Sequence, residues 1–257
     1  MLETSLYPEI LNSDARASLV LLCEHASNHI PGAYQQLGLP EDVLSSHIAW
    51  DIGAAAVTRQ MCRMMDVSGV LASASRLLID PNREPEHSTL VPARSDGTVI
   101  PANRDLTPAA IAARKVAFYD PFHSAADQLI ERQLAEGSIP LIVGMHSFTP
   151  EMDGESRPWQ IGFLWDKDPR LAQAMIGLVE RETDLTVGQN QPYSGRDLYY
   201  SMHRHGAARG LPQTTIEIRQ DLLADASMVR QWAALLADLL DECMTRPDLN
   251  AIRHFQE

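Results

Sequence analysis

Glu24, His25, Ser27 and Asn28 follow directly on an apolar run, Leu19 to Cys23. His146 and Ser147 follow a second run, Ile139 to Met145, and Glu217 and Arg219 sit inside a third, Thr214 to Arg219. Imidazole and carboxylate are zinc ligands, and a carboxylate is also a common proton acceptor in hydrolysis. Groups of these types, delivered by three strand-like runs, imply one shared site. We read it as a mononuclear zinc hydrolase centre. Its ligands would be His and carboxylate, because Cys23, Cys62 and Cys243 are scattered and none stands in a C-x-x-C pair.

The elements that must position these groups alternate in kind. Leu19 to Cys23 is long enough for a strand buried on both faces. Residues 42–66 carry helical spacing at Val57 and Met61, after a start at Pro40 with Glu41 and Asp42. Asp51 opens this stretch, where an aspartate is ordinarily a helix cap and alternatively a metal ligand or orienter. Val70 to Ala74 and Leu77 to Ile79 read as short strands, with Arg76, Asp80, Asn82 and Arg83 around a turn. Residues 84–107 form a long loop that suits a flap over the site. Thr107 and Pro108 begin a helix running to about Glu136, interrupted at Pro121, with His123 just beyond. Further strands are expected over 139–145, 158–165 and 213–218. A helix from Asp168 to about Thr183 and a final one from Ala226 to Met244 complete the pattern, and 188–210 is a second candidate site loop. Residues 1–17 read as a polar lead-in. The order implies an α/β layer fold with a parallel or mixed central sheet.

With 257 residues, 45% hydrophobic, the chain can bury one sizeable core, and no linker divides it; residues 1–257 are expected to form one domain. The apolar runs are too short to span a bilayer, and Met1 to Ser5 lacks a signal-peptide start, which favours the cytoplasm. A net charge of −13 argues against a nucleic-acid partner. A small anionic substrate would then need local arginines, for which Arg76, Arg83, Arg196, Arg204, Arg209 and Arg219 are available.

Seven segments together resemble the N-formylglutamate amidohydrolase family. They are Cys-Glu-His-Ala-Ser-Asn at 23–28, His-Ile-Ala-Trp-Asp-Ile-Gly at 47–53 and Ser-Arg-Leu-Leu-Ile-Asp-Pro-Asn-Arg at 75–83. His-Ser-Phe-Thr-Pro at 146–150, Arg-Pro-Trp at 157–159, Pro-Tyr-Ser at 192–194 and Ile-Glu-Ile-Arg-Gln-Asp-Leu at 216–222 follow. The family is distantly similar to zinc carboxypeptidases and aspartoacylase. That likeness implies a three-layer α/β sandwich with a mixed, largely parallel sheet and one Zn2+ per chain.

By the same resemblance His25 and His146 match two zinc ligands, Glu217 the general base and Arg76 a group that polarises the scissile carbonyl. Asn82 and Arg83, with Arg219, match a carboxylate clamp. Arg196 or Arg209 would serve a γ-carboxylate. The relatives' carboxylate ligand falls here on Asn28, a poor zinc ligand, so Asp51 or Glu24 must replace it. Asp51 is preferred, because Glu24 and His25 would point to opposite faces of a continuing strand.

The implied reaction is zinc-dependent hydrolysis of a small anionic N-acyl amino acid, such as N-formylglutamate. Alternatives are the same chemistry on another acyl amino acid or small peptide, or a ligand-binding protein that has lost catalysis. A purely structural alternative makes the histidines core residues and Glu217 an ion-pair partner of Arg219.

Overall fold

The computed structural model describes residues 7–197 and 199–255. The N-terminal stretch weighed above as a signal peptide, Met1 to Ser5, lies outside them. One sheet carries the architecture. Its strands are β1 (Glu9–Leu11), β2 (Leu19–Cys23), β3 (Ser68–Leu71), β4 (Leu141–Phe148), β5 (Ile161–Leu164), β6 (Val187–Gln189) and β7 (Gln213–Arg219), in the order β1-β3-β2-β4-β7-β5-β6. The pairs β2–β3, β2–β4, β4–β7 and β5–β6 are parallel; β1–β3 and β7–β5 are antiparallel. The sheet is thus mixed and largely parallel, as expected.

Side chains of a strand alternate between its two faces. Leu19, Leu21, Cys23, Val143, Met145, Ile216 and Ile218 pack against helices α1 (Ala54–Met65), α4 (Arg170–Glu182) and α6 (Ala226–Met244). Val20, Leu22 and Ile142 pack the other way, against α3 (Asp120–Ala135) and α5 (Tyr200–His205). Both faces are covered, which explains why the central strands read as continuous apolar runs. A third core cluster, from Leu37 through Ile79 to Tyr119, forms a lobe over the sheet's carboxyl edge.

Several elements differ from the sequence reading. The N-terminal lead-in supplies β1, an edge strand too short to show periodicity. Leu77 to Ile79 is not a strand; it is a buried turn, apolar because it plugs the third core cluster. The long helix starts as expected, with the Thr107 hydroxyl accepting from the Ala110 N–H to cap α2 (Pro108–Arg114). It then widens by one π-type turn, Lys115–Tyr119, and runs on. Pro121 breaks nothing, because it falls in the first turn of α3, where its missing N–H is tolerated. The flap segment carries a small hairpin, Arg94–Ser95 with Thr98–Val99. Strand β4 reaches Phe148, so His146 lies inside it rather than beyond its end. Among the described residues no helix is long and apolar enough to cross a membrane. The three cysteines are buried and free.

Candidate metal centre and active site

The site grows from the two central strands. Glu217 on β7 is the register partner of His146 on β4, and Thr215 is that of Gly144. Strand alternation turns His146, Glu217 and Thr215 to the α3/α5 face, at the carboxyl edge of the sheet. Strand β2 ends at Cys23, so Glu24 and His25 leave the ladder and are freed from strict alternation. The backbone N–H of Asp51 donates to the carbonyl of His25, which ties the start of the α1 region to the end of β2. The helix cap of α1 is Gly53, in a left-handed conformation with φ 86°. Asp51 therefore does not cap the helix, and its side chain is free to face the histidines.

His25, Asp51 and His146, all buried, bring one ligand atom each within 4.8 Å of one another. The Nδ1 of His25 lies 3.4 Å from Asp51 Oδ1, and the Nδ1 of His146 lies 2.7 Å from Asp51 Oδ2. Each ring has a second carboxylate at its far nitrogen. His25 Nε2 is 2.8 Å from Asp80 Oδ1, and His146 Nε2 is 3.1 Å from Glu24 Oε2, near but not aligned for a hydrogen bond. A carboxylate behind each imidazole fixes its orientation and raises its basicity, the arrangement found around metal-binding histidines. Glu24, the other candidate ligand, thus stands behind His146, across the ring from Asp51.

The electrostatics favour a cation. Burial works against the charge of Asp51, yet His25 and His146 hold its carboxyl far below the ordinary range. Glu24, equally buried, is held at about 2, chiefly by His146. Burial opposes protonation of His146, but Asp51 and Glu24 raise its affinity for a proton well above normal. A guanidinium already answers this demand: Arg76 Nη1 is 3.2 Å from His25 Nδ1 and 3.8 Å from Asp51 Oδ1. Its Nη2 donates to Asp80 Oδ2 at 3.0 Å. Two imidazoles and one carboxylate around a point that attracts positive charge fit a zinc ion.

The cavity in front of this cluster has a volume of about 230 Å3. Glu217 opens onto it with Oε2 unpaired; burial pushes its carboxyl up to about 8. Asn82 and Arg83 line the adjoining wall. The Oδ1 of Asn82 accepts from the Ser201 N–H at 3.1 Å, and Arg83 donates to Thr89 Oγ1 and to the Asn82 carbonyl. The outer wall is formed by His47 and Asp96, 3.3 Å apart, with Asp96 at the tip of the flap hairpin.

The fold does not bring every expected arginine here. Arg219 pairs with Asp221 at 2.8 Å, so its guanidinium is turned away and no Glu217–Arg219 pair forms. Arg209 pairs with Asp127 at 2.6 Å, behind α5. Arg196 lines a neighbouring cavity that shares Asn82 and Arg83 with the first. Conversely, sequence reading gave Asp80 only a turn, although it holds His25 and, through Oδ1, the Asn82 N–H. Tyr193, whose hydroxyl accepts from Arg157, also lines the cavity. The Asp-Pro-Asn-Arg run at 80–83 was the available signal for Asp80; nothing in the sequence pointed to the Glu24–His146 contact.

Fold and site define a three-layer α/β protein with a buried His–Asp–His cluster and a glutamate at the carboxyl edge of its sheet. The chain belongs to the N-formylglutamate amidohydrolase family, whose model matches residues 17–224. It is similar to the product of gene Atu2144 of Agrobacterium tumefaciens, with 39% identity, a TM-score of 0.90, and coverage of 93% of this chain and 95% of that one. An N-formylglutamate amidohydrolase from Ralstonia eutropha JMP134 shares the fold at 16% identity, TM-score 0.73, over 93% of this chain and 97% of its own. No curated protein matches the chain.

Proposed function

We propose that this protein is a zinc-dependent amidohydrolase that cleaves an N-formyl or other N-acyl amino acid, with N-formylglutamate the first substrate to consider. The observation that carries the reading is the buried His25–Asp51–His146 cluster with Glu217 beside it in one cavity. Membership of the amidohydrolase family supports the amide as the bond cleaved. A divalent cation held by these three residues supplies Lewis acidity and brings the pKa of a water from ~16 toward ~7.

The chain's own groups do the rest. Glu217, unpaired and facing the cavity, takes the proton of the attacking water and passes it to the leaving nitrogen, where the amide C–N bond breaks. Burial raises its affinity for protons, which makes its carboxylate the stronger base once ionised. Arg76, anchored through Nη2 to Asp80, directs its remaining N–H groups toward the carbonyl oxygen as negative charge builds there. Asp80 and Glu24 hold the two imidazoles in place. Asn82 and Arg83 hold the substrate's α-carboxylate, Arg83 through a guanidinium suited to bidentate pairing. For N-formylglutamate the products are formate and glutamate.

A second reading differs only in the side chain accepted. Arg209 and Arg219 are paired elsewhere, and the outer wall presents the Asp96 carboxylate. Such a wall favours a polar or cationic side chain over a γ-carboxylate. Comparing N-formyl-L-glutamate with N-formyl-L-glutamine and N-formyl-L-lysine by kcat/KM tests the two: preference for glutamate supports the first, preference for the others the second.

A further inference from the structure

A buried polar chain lies behind the clamp loop, outside the cavity. His123 Nε2 is 3.0 Å from the carbonyl of Pro81, which can only accept, so this nitrogen carries the hydrogen. His123 Nδ1 meets His205 Nε2 at 2.8 Å, and His205 Nδ1 meets Asp127 Oδ1 at 3.1 Å. Both rings are fully buried, and Asp127 is fixed in turn by Arg204 at 3.1 Å and Arg209 at 2.6 Å. Burial and His205 push the His123 imidazole down to about 3, and its Nε2 hydrogen goes to Pro81.

A second bond to the same loop comes from one helical turn earlier. The Tyr119 hydroxyl donates to the carbonyl of Arg83 at 2.9 Å. Tyr119 and His123 are ring neighbours, with centroids 4.4 Å apart. Tyr119 closes the π-type turn Lys115–Tyr119, the one widening of this helical region. Such insertions shift the register of side chains and recur at functional sites. The two carbonyls gripped are those flanking Asn82. Asp80 is held separately, by its N–H to Leu90 and its carboxylate to His25 and Arg76.

We infer that Tyr119 and His123 are positioning residues for substrate binding: from the π-turn and α3 they grip the carbonyls of Arg83 and Pro81, with His205 and Asp127 fixing the His123 ring, and so set Asn82 and Arg83 in place. The inference rests on the reading of Asn82 and Arg83 as the carboxylate clamp. It predicts an effect on binding more than on turnover, because Asp80, and with it His25, has its own anchors.

The test uses Tyr119→Phe, which removes one hydroxyl, together with His123→Leu and His123→Gln. Glutamine can still accept from His205 and donate to Pro81. Steady-state kinetics and amide hydrogen exchange of the zinc-loaded protein are both measured. Tyr119→Phe and His123→Leu should raise KM roughly five- to tenfold with kcat within about twofold, while His123→Gln stays near wild type. Exchange over residues 80–90 should quicken in the first two variants and not in the third, with β4 and β7 unchanged. Unchanged KM and exchange in Tyr119→Phe would overturn the inference, as would His123→Gln behaving like His123→Leu or faster exchange throughout the sheet. If wild type hydrolyses no N-acyl amino acid, the proposed function falls, and the local exchange pattern still decides this point.

Discussion

Glu217 and His146 are register partners on adjacent parallel strands and project from the same face of the sheet into one cavity. A candidate proton acceptor and a candidate metal ligand are thereby held at a distance set by the β-ladder itself, not by loops. Such a pair is stiff, and replacing one side chain leaves the ladder intact. Glu217→Gln should therefore fold and keep its metal while kcat drops by about 10²- to 10⁴-fold. Turnover near wild type, with zinc content measured in the same sample, would remove Glu217 from the reaction.

The two carboxylates on either side of His146 are expected to differ. Asp51 faces both Nδ1 atoms, whereas Glu24 stands at the far nitrogen. Asp51→Ala should abolish tight zinc binding, and Glu24→Ala should weaken it by roughly 10- to 100-fold, the usual cost of losing a group behind a ligand. Competition with a chelator of known affinity measures both. The reverse order would make Glu24 the ligand.

How much of this was legible in the sequence depends on the kind of residue. Strands β2, β4 and β7 were visible because burial on both faces makes them unbroken apolar runs, and the polar residues that end or interrupt them stand out. Asp51 was ambiguous, since an aspartate before a helix is ordinarily a cap; the cap turned out to be Gly53, a backbone device that needs no side chain. Arg209 could not be sorted from Arg76 and Arg83 by sequence, because its partner Asp127 comes from a distant element, whereas Arg219 is held by Asp221, only two residues on. Tyr119 was hidden for a related reason, and His123, which the sequence offered as a residue facing the site, lies instead behind the loop at Pro81. Their facing depends on one extra residue in a helical turn, which shifts side-chain register without changing the apolar pattern.

Gly53 is a tight point in the backbone near the site. Its φ of 86° suits glycine, and a Cβ there would come within 2.5 Å of Leu223 Cβ. Gly53→Ala should cost on the order of 1–3 kcal/mol of stability from the left-handed conformation and the forced repacking of Leu223. It should also lower zinc affinity by displacing Asp51, two residues away. Urea unfolding and metal titration of the variant check both. Wild-type values would mean that the α1 start is looser than its packing implies.

Stability of the zinc-free protein should respond to pH in two directions: one contribution is lost as pH rises toward about 8, another on acidification. The Glu217 carboxyl, pushed by burial from 4.5 to about 8, holds a proton that the unfolded chain has released. That contribution is complete below pH 4.5 and is lost as pH rises through about 8. Asp51 and Asp80 are shifted down despite burial, by His25 with His146 and by His25 with Arg76, so their contribution is present at neutral pH and lost on acidification. Glu217→Gln should therefore flatten the decline in Tm between about pH 4.5 and 8 and leave the acid limb unchanged. An unchanged slope in that window would mean that Glu217 ionises as an ordinary carboxyl.

The central claim is zinc-dependent amide hydrolysis at the His25–Asp51–His146 cluster. It is tested most directly by formate release from N-formyl-L-glutamate, using protein as purified, stripped with a chelator, and restored with zinc. The account predicts release by the first sample, loss in the second and recovery in the third. Undiminished release by the stripped protein would contradict it.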